Sequence, residues 1–145
     1  VESEVDKSET ALIGEARIRE RGDDVTIVSW SQTVNLAVEA ASSLSLEGIN
    51  AEVIDLRSLW PWDKDTVIES VNKTGRLVVA HESVAVGGFG AEIIAYASEK
   101  IGGVLKGRIR RLGAPRALIA YAPNLEDKMR VTSVMIANAA RELMI

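Results

Sequence analysis

RLVVAHESVAVGGFGAEI, residues 76–93, carries an apolar strand straight into the chain's single histidine, an acid, and a glycine-rich turn that opens a helix. Leu77 to Ala80 is uninterrupted by polar residues, as expected of a strand covered on both faces in a largely parallel sheet. The carboxyl end of such a strand, with free backbone N–H groups and a helix N-terminus beside it, is where open α/β sheets gather ligands. This stretch therefore decides both the fold and the place to look for chemistry.

Working outward, the same strand and helix alternation recurs. Upstream, Val25 to Trp30 and Ala51 to Leu56 read as strands, and Glu15 to Glu20 as a short exposed one before the Arg21-Gly22-Asp23-Asp24 turn. Between them, Thr33 to Leu46 sets Val34, Ala37, Val38, Ala41 and Leu44 on one helical face, with Gly48 at the stop. Asp63 is placed to cap a helix ending near Lys73, accepting from Asp65 or Thr66, with Trp62 stapled on Val67.

Downstream, a helix is predicted from Ala91 to Ile101, a last strand from Arg108 to Leu112, and a proline-punctuated connection from Ala114 to Asp127. A final helix from Lys128 to Leu143 carries Met129, Val131, Val134, Met135, Ile136, Ala140 and Leu143. That is too many apolar residues for one stripe, so part of this helix is expected to meet another surface. The pattern predicts a three-layer α/β/α sandwich around a five-stranded, mostly parallel sheet.

With 145 residues the chain has the length of one domain. Residues 1–13 read as a linker from a missing upstream domain and 14–145 as the folded unit. The first residue is Val1, not Met, which suggests a fragment of something longer. Hydrophobic residues make up 47% and charged residues 26%, and the formal net charge is −4. That balance argues against nucleic acid, since the one basic cluster, Lys106 to Arg111, is broken by Gly107 and Ile109 in the manner of a strand. No apolar stretch approaches a membrane span and the first residues are acidic, so no membrane association and a soluble protein are expected, cytoplasmic or in the mitochondrial matrix of a eukaryote.

The chain has no cysteine, which excludes disulfides and thiolate chemistry. With one histidine, a zinc site would need almost only carboxylates, which zinc disfavours, so no metal site is expected. No G-x-S-x-G elbow is present. Gly88-Phe89-Gly90 is a partial dinucleotide fingerprint whose third glycine is replaced by Ile93. Two readings of this turn stand: a nucleotide cradle, or glycines that let backbone turn tightly and approach a neighbouring chain. His81 with Glu82 is the candidate acid/base pair, set against a hydrogen-bonded structural histidine. Trp30, Trp60 and Trp62 read as core or interface anchors, and Asp55 and Arg57 as a pair across one edge.

GDDVTIVSWSQTV, AEVIDLRSLWPWD, VNKTGRLVVAHE, GGFGAEI and APNLED, in this order, cover nearly the whole chain from Gly14 to Leu143. Together they resemble the C-terminal domain of the beta subunit of the thiamine-diphosphate-dependent decarboxylating component of 2-oxo acid dehydrogenase complexes, the pyruvate, branched-chain and acetoin types. The resemblance implies that Glu15 to Glu20 is an antiparallel edge strand. It also implies that thiamine diphosphate and magnesium belong to the parent enzyme and that this domain alone binds neither.

What the resemblance leaves to the domain is assembly, with an alpha subunit and a second beta subunit, and docking of the basic subunit-binding module of an acyltransferase core. Gly87, Gly88, Phe89 and Gly90 would form an interface or active-site-edge loop; Glu126, Asp127, Glu142 and the carboxylate of Ile145 would receive the docked module. RALIAY, residues 116–121, departs from the proline-bearing form common in that family. Two rivals remain: a free-standing small-molecule-binding or regulatory α/β domain using the Glu82 to Gly90 and Ser29 to Thr33 loops at one end of the sheet, and the homologous domain of a transketolase or deoxyxylulose-phosphate synthase.

Overall fold

The computed structural model describes residues 10–145. Most of the expected linker, residues 1–9, lies outside them. In chain order the elements are β1 (Arg17–Glu20), β2 (Val25–Ser29), α1 (Thr33–Ser45), β3 (Ala51–Asp55), α2 (Lys64–Thr74), β4 (Leu77–Val84), α3 (Gly90–Ile101), β5 (Arg110–Ala114), the single-turn α4 (Pro123–Glu126) and α5 (Ser133–Arg141). The sheet runs β1-β3-β2-β4-β5, with β1 antiparallel to β3 and the other pairs parallel.

Side-chain alternation along the three central strands makes two cores. Val25, Ile27, Val53, Val78 and Ala80 face α1 and α5. Val28, Ile54, Leu77 and Val79 face α2 and α3. These strands are covered on both faces, which is why Leu77 to Ala80 is continuously apolar. Helices on both sides of a mixed sheet give the three-layer architecture that the spacing predicts.

Local chemistry fixes the ends of the elements. Asp63 caps α2 by accepting from the Thr66 N–H at 3.0 Å, and its second oxygen accepts from the Ala16 N–H at 2.9 Å, so one carboxylate anchors both α2 and the approach to β1. Burial alone would raise the Asp63 pKa, but the N–H bonds from Ala16 and Thr66 outweigh it and hold the carboxyl below its ordinary range. Gly75 ends α2 in the left-handed region (φ +70°), a conformation that favours glycine. Thr26 bonds Ser70 at 2.7 Å and Thr74 at 2.8 Å, tying α2 to β2 through buried hydroxyls.

Four expectations shift. β4 continues past Ala80 to Val84, because after an irregularity in the ladder Val84 still pairs with Ala114 of β5. β5 begins at Arg110 and ends at Ala114, since those are the residues that find partners on β4. The Ala114 to Asp127 connection gives its first residue to β5 and contains α4, followed by a 3-10 turn over Asp127–Met129. The final helix starts only at Ser133: Thr132 is extended and caps it, accepting from the Met135 N–H at 3.3 Å, so Met129 and Val131 belong to the approach. Within α5, Ile136 and Ala140 are buried while Val134 and Met135 are 64% and 43% exposed, so the helix does leave part of its apolar surface outside this domain's core.

Candidate functional site

The carboxyl ends of β2 and β4 lie side by side in the centre of the sheet, with α1 and α3 departing to opposite faces. This is the switch point of an open α/β sheet. The two loops singled out in the sequence meet here. Ser29 donates from its hydroxyl to the Ala80 carbonyl at 2.9 Å, and the Trp30 ring stacks on His81 with centroids 5.0 Å apart.

His81 is fully buried. Its Nδ1 lies 3.0 Å from the Ser83 carbonyl and 2.8 Å from the Ser83 hydroxyl, while Nε2 is buried without a partner. Donation from Nδ1–H to the carbonyl leaves Nε2 as an unmet acceptor; the other tautomer would bury an unmet N–H. Burial pushes the His81 pKa below its ordinary value; the Ser83 bond opposes this, and the charge of Arg111 adds to it. Glu82, by contrast, is exposed. The two neighbours thus stand in different surroundings: the imidazole is buried in the core and the carboxylate is in solvent.

The glycines of the turn have a clear steric task. A Cβ on Gly90 would come within 2.5 Å of His81 Nε2, one on Gly88 within 2.9 Å of the ring and 2.2 Å of the Val84 carbonyl, and one on Gly113 within 2.8 Å of the ring. Three glycines therefore make room for the imidazole. The close approach that Gly88 and Gly90 make in this structure is to the chain's own His81, where the sequence reading expected a neighbouring chain. Gly113 is the member that sequence reading missed, since nothing in its spacing links it to the turn.

An aromatic series extends from this cradle: Trp30 meets Phe89 edge-on at 6.1 Å, Phe89 meets Trp62 at 6.4 Å, and Trp62 meets Tyr96 at 5.4 Å. Trp62 is 5% exposed and Trp60 is 78% exposed, so the tryptophans divide between core and surface. Asp55 accepts from the Arg57 N–H at 3.1 Å and faces Arg19, while the Arg57 guanidinium donates to the Glu15 carbonyl; the expected side-chain pair is replaced by these contacts.

On the α1 side of the switch point lies a cleft of about 420 Å³. Its walls include Gln32 and Leu36 from α1 and its cap, Glu82 and Val84 from β4, Pro115 and Ile119 after β5, and Met129, Arg130 and Val131 before α5. Glu126 lines it too, bonded to Arg130 at 2.6 Å. The adjoining segment exposes Leu118 (95%), Ile119 (79%) and Tyr121 (102%). Sequence reading marked Glu126 but not this cleft, because its residues come from five separate segments.

The four proposed docking acids fall in two places. Glu126 and Asp127 sit beside the cleft, whereas Glu142 is bonded to Arg110 at 3.0 Å in a corner that also holds Ile145, Lys106 and Arg108. A magnesium–diphosphate group does not fit the described residues. The inner side of the glycine turn is filled by imidazole, and no group of three metal-ligating side chains occurs among the described residues. No helix among them is long and apolar enough to cross a membrane.

Comparison with known proteins places this geometry. The family model described as transketolase, C-terminal domain, matches residues 14–136. The chain belongs to that family.

Curated relatives of this transketolase C-terminal domain include the acetoin:2,6-dichlorophenolindophenol oxidoreductase subunit beta of Cupriavidus necator, 41% identical over 99% of the chain and 43% of the relative. The mitochondrial pyruvate dehydrogenase E1 component subunit beta of Dictyostelium discoideum is 40% identical over 98% of the chain and 40% of its own length. The 2-oxoisovalerate dehydrogenase subunit beta of Bacillus subtilis is 36% identical over 90% of the chain and 40% of its length. The chain thus spans less than half of each of these proteins. Among solved structures, a split-gene transketolase described as an inactive beta4 tetramer superposes with a TM-score of 0.86 at 28% identity, covering 99% of this chain and 46% of that one. The resemblance read from the motifs and the mixed five-stranded fold are both borne out.

Proposed function

We propose that this domain serves assembly and partner docking in the decarboxylating component of a 2-oxo acid dehydrogenase. The observation that carries the reading is the set of large apolar side chains left exposed after β5, Leu118, Ile119 and Tyr121, together with the exposed Val134 and Met135 of α5, while His81 is buried. Contiguous exposed apolar side chains of this kind mark surfaces that another chain covers. The relatives named as E1 beta subunits, and the tetramer named for the split-gene transketolase, support an alpha subunit and a second beta subunit as the covering chains.

In this reading the parent enzyme decarboxylates a 2-oxo acid and reductively acylates a lipoyl group, with thiamine diphosphate and magnesium held outside these residues and supplying the electron sink for the cleaved carbon–carbon bond. The domain alone is inactive. It would work in the cytoplasm or, in a eukaryote, the mitochondrial matrix. The Gly87 to Gly90 turn, Phe89 included, forms the edge next to the partner subunit, with Trp60 beside it. The basic module of an acyltransferase core is proposed to dock at Glu126 and Asp127, with Glu142 and Ile145 as the further contacts.

Size-exclusion chromatography with light scattering tests the assembly part: self-association that grows with concentration is expected, and a strictly monomeric domain at high concentration would remove it. The cleft favours a second reading, a small-molecule or regulatory site at the switch point. Calorimetric titration with nucleotides and 2-oxo acids separates the two, since saturable binding by the isolated chain supports only the second. The homologous domain of a transketolase is the less supported parentage, because the three beta-subunit relatives named above are 36–41% identical and the split-gene transketolase 28%.

A further inference from the structure

Trp60 is the tryptophan that its own domain leaves bare. Trp30 stacks on His81 and meets Phe89, and Trp62 meets Phe89 and Tyr96, whereas Trp60 is 78% exposed and makes no ring contact among the described residues. Its turn is nonetheless fixed on both sides. The Ser58 hydroxyl donates to the Pro61 carbonyl at 2.7 Å and accepts from the Gly14 N–H at 2.9 Å, and Trp62 is packed in the core. A rigid, exposed indole loses little freedom when another chain covers it, which is why tryptophan is enriched among the residues that dominate interfaces.

Trp60 shares an open hollow with Gly87, Gly88, Phe89, Ala91 and Glu92. Gly87 meets nothing within 4 Å where a Cβ would stand, so that side of the hollow is backbone open to an approaching group. Glu92 is exposed in the first turn of α3, and no hydrogen bond or salt bridge engages its carboxylate among the described residues. Two residues after Trp60, the chain shows the pairing that this hollow lacks: Lys64 Nζ lies 5.8 Å from the Trp62 ring centroid and 4.7 Å from that of Tyr96. Trp62 has its cation from within the chain, whereas Trp60 and Glu92 leave an aromatic face and a negative charge unmatched.

We propose that this hollow receives an arginine side chain of a partner subunit, its guanidinium stacked on the Trp60 indole and its N–H groups donating to the Glu92 carboxylate. The proposal rests on the reading that the Gly87 to Gly90 turn borders a partner, and it names what that partner presents. A guanidinium suits the hollow better than an ammonium, because its plane stacks on an aromatic face while its fork of N–H groups reaches a carboxylate. Glu92 repels an anion, and a purely apolar side chain would cover that carboxylate without matching its charge.

Two-dimensional NMR of the isotope-labelled chain tests this with N-acetyl-glycyl-arginyl-glycinamide as the probe. The Trp60 indole N–H signal, identified by its loss in Trp60→Leu, is expected to shift saturably, with a dissociation constant on the order of 1–10 mM and weaker binding as salt rises to about 0.5 M. Glu92→Gln is expected to weaken binding roughly threefold or more. Trp60→Leu, read at the Gly87 and Gly88 amides, is expected to abolish it. Both side chains are exposed, so the variants should stay folded. No saturable shift, an equal shift with norleucine or lysine in place of arginine, or undiminished binding by Glu92→Gln would overturn the proposal. So would tighter binding of choline than of the arginine peptide, which would assign the hollow to a small quaternary ammonium ligand. Sedimentation on the same samples keeps the two readings apart: a monomer whose Trp60 signal answers the arginine peptide removes the assembly reading alone, and an associating chain whose Trp60 signal ignores it removes the arginine site alone.

Discussion

Around His81 the chain packs until one ring nitrogen is left without a partner, whereas on the other side of β4's end Leu118, Ile119 and Tyr121 stand 95%, 79% and 102% exposed. Both regions occupy the carboxyl end of the same sheet. In the first, three glycines are used to admit a polar ring into a closed interior, at the cost of an unmet acceptor. In the second, large apolar side chains are left without cover. Interior side chains are normally packed at crystal-like density, so the contrast identifies the first region as this domain's own core and the second as the surface that the proposed assembly would cover.

The contrast is most directly broken at the cradle. Gly90→Ala and Gly88→Ala are each expected to cost about 1–3 kcal/mol in denaturant unfolding, because the added methyl overpacks a closed site. They differ in what relieves them. Gly90 meets the His81 ring first, so His81→Ala should offset part of the Gly90→Ala loss. Gly88 meets the Val84 backbone carbonyl, so the same partner should give it little relief. Equal relief for both, or none for either, would show that the imidazole does not fill the cradle.

Next in size is the pH response. Because the folded pKa of His81 lies below the ordinary value of 6.5, the unfolded chain binds the extra proton first. Stability is therefore complete above about pH 6.5 and declines as pH falls below it, until the folded ring itself protonates. Urea midpoints at pH 7 and pH 5 should fall more for the natural chain than for His81→Ala, which is itself less stable by about 2–4 kcal/mol from the lost ring. Asp63 adds a smaller change at lower pH: its depressed pKa gives stability that is present above the ordinary value of 3.8 and lost as pH falls through the folded one. Asp63→Ala should cost about 1 kcal/mol, the usual worth of an N-cap, and should remove that acid-dependent part.

How much of this was legible in the sequence depends on whether a feature is local. The apolar run Leu77 to Ala80, the helical face of Thr33 to Ser45 and the Asp63 cap were readable because periodicity and capping are set by near neighbours. Features joining distant segments were not. Gly113 reaches His81 across the β4–β5 pairing, and the cleft gathers residues from Gln32 to Val131. The start of the last helix was misread because Met129 and Val131 fit its apolar pattern, while Thr132, an effective cap, breaks the backbone before Ser133. For the site, His81 and Glu82 were found, but adjacent positions at a strand end point apart, and only the packing around them shows one buried and the other in solvent.

The smallest effect on stability is predicted on the open side, where Leu118→Ser with Ile119→Ser should change unfolding free energy by no more than about 0.5 kcal/mol. Its effect on association should be large, and this makes it the most direct test of the account. Sedimentation velocity over a concentration series should show self-association by the natural chain and a monomer for the double variant at equal stability. A natural chain that stays monomeric throughout, or a double variant that associates as strongly, would contradict the claim that this face is built to be covered by a neighbour.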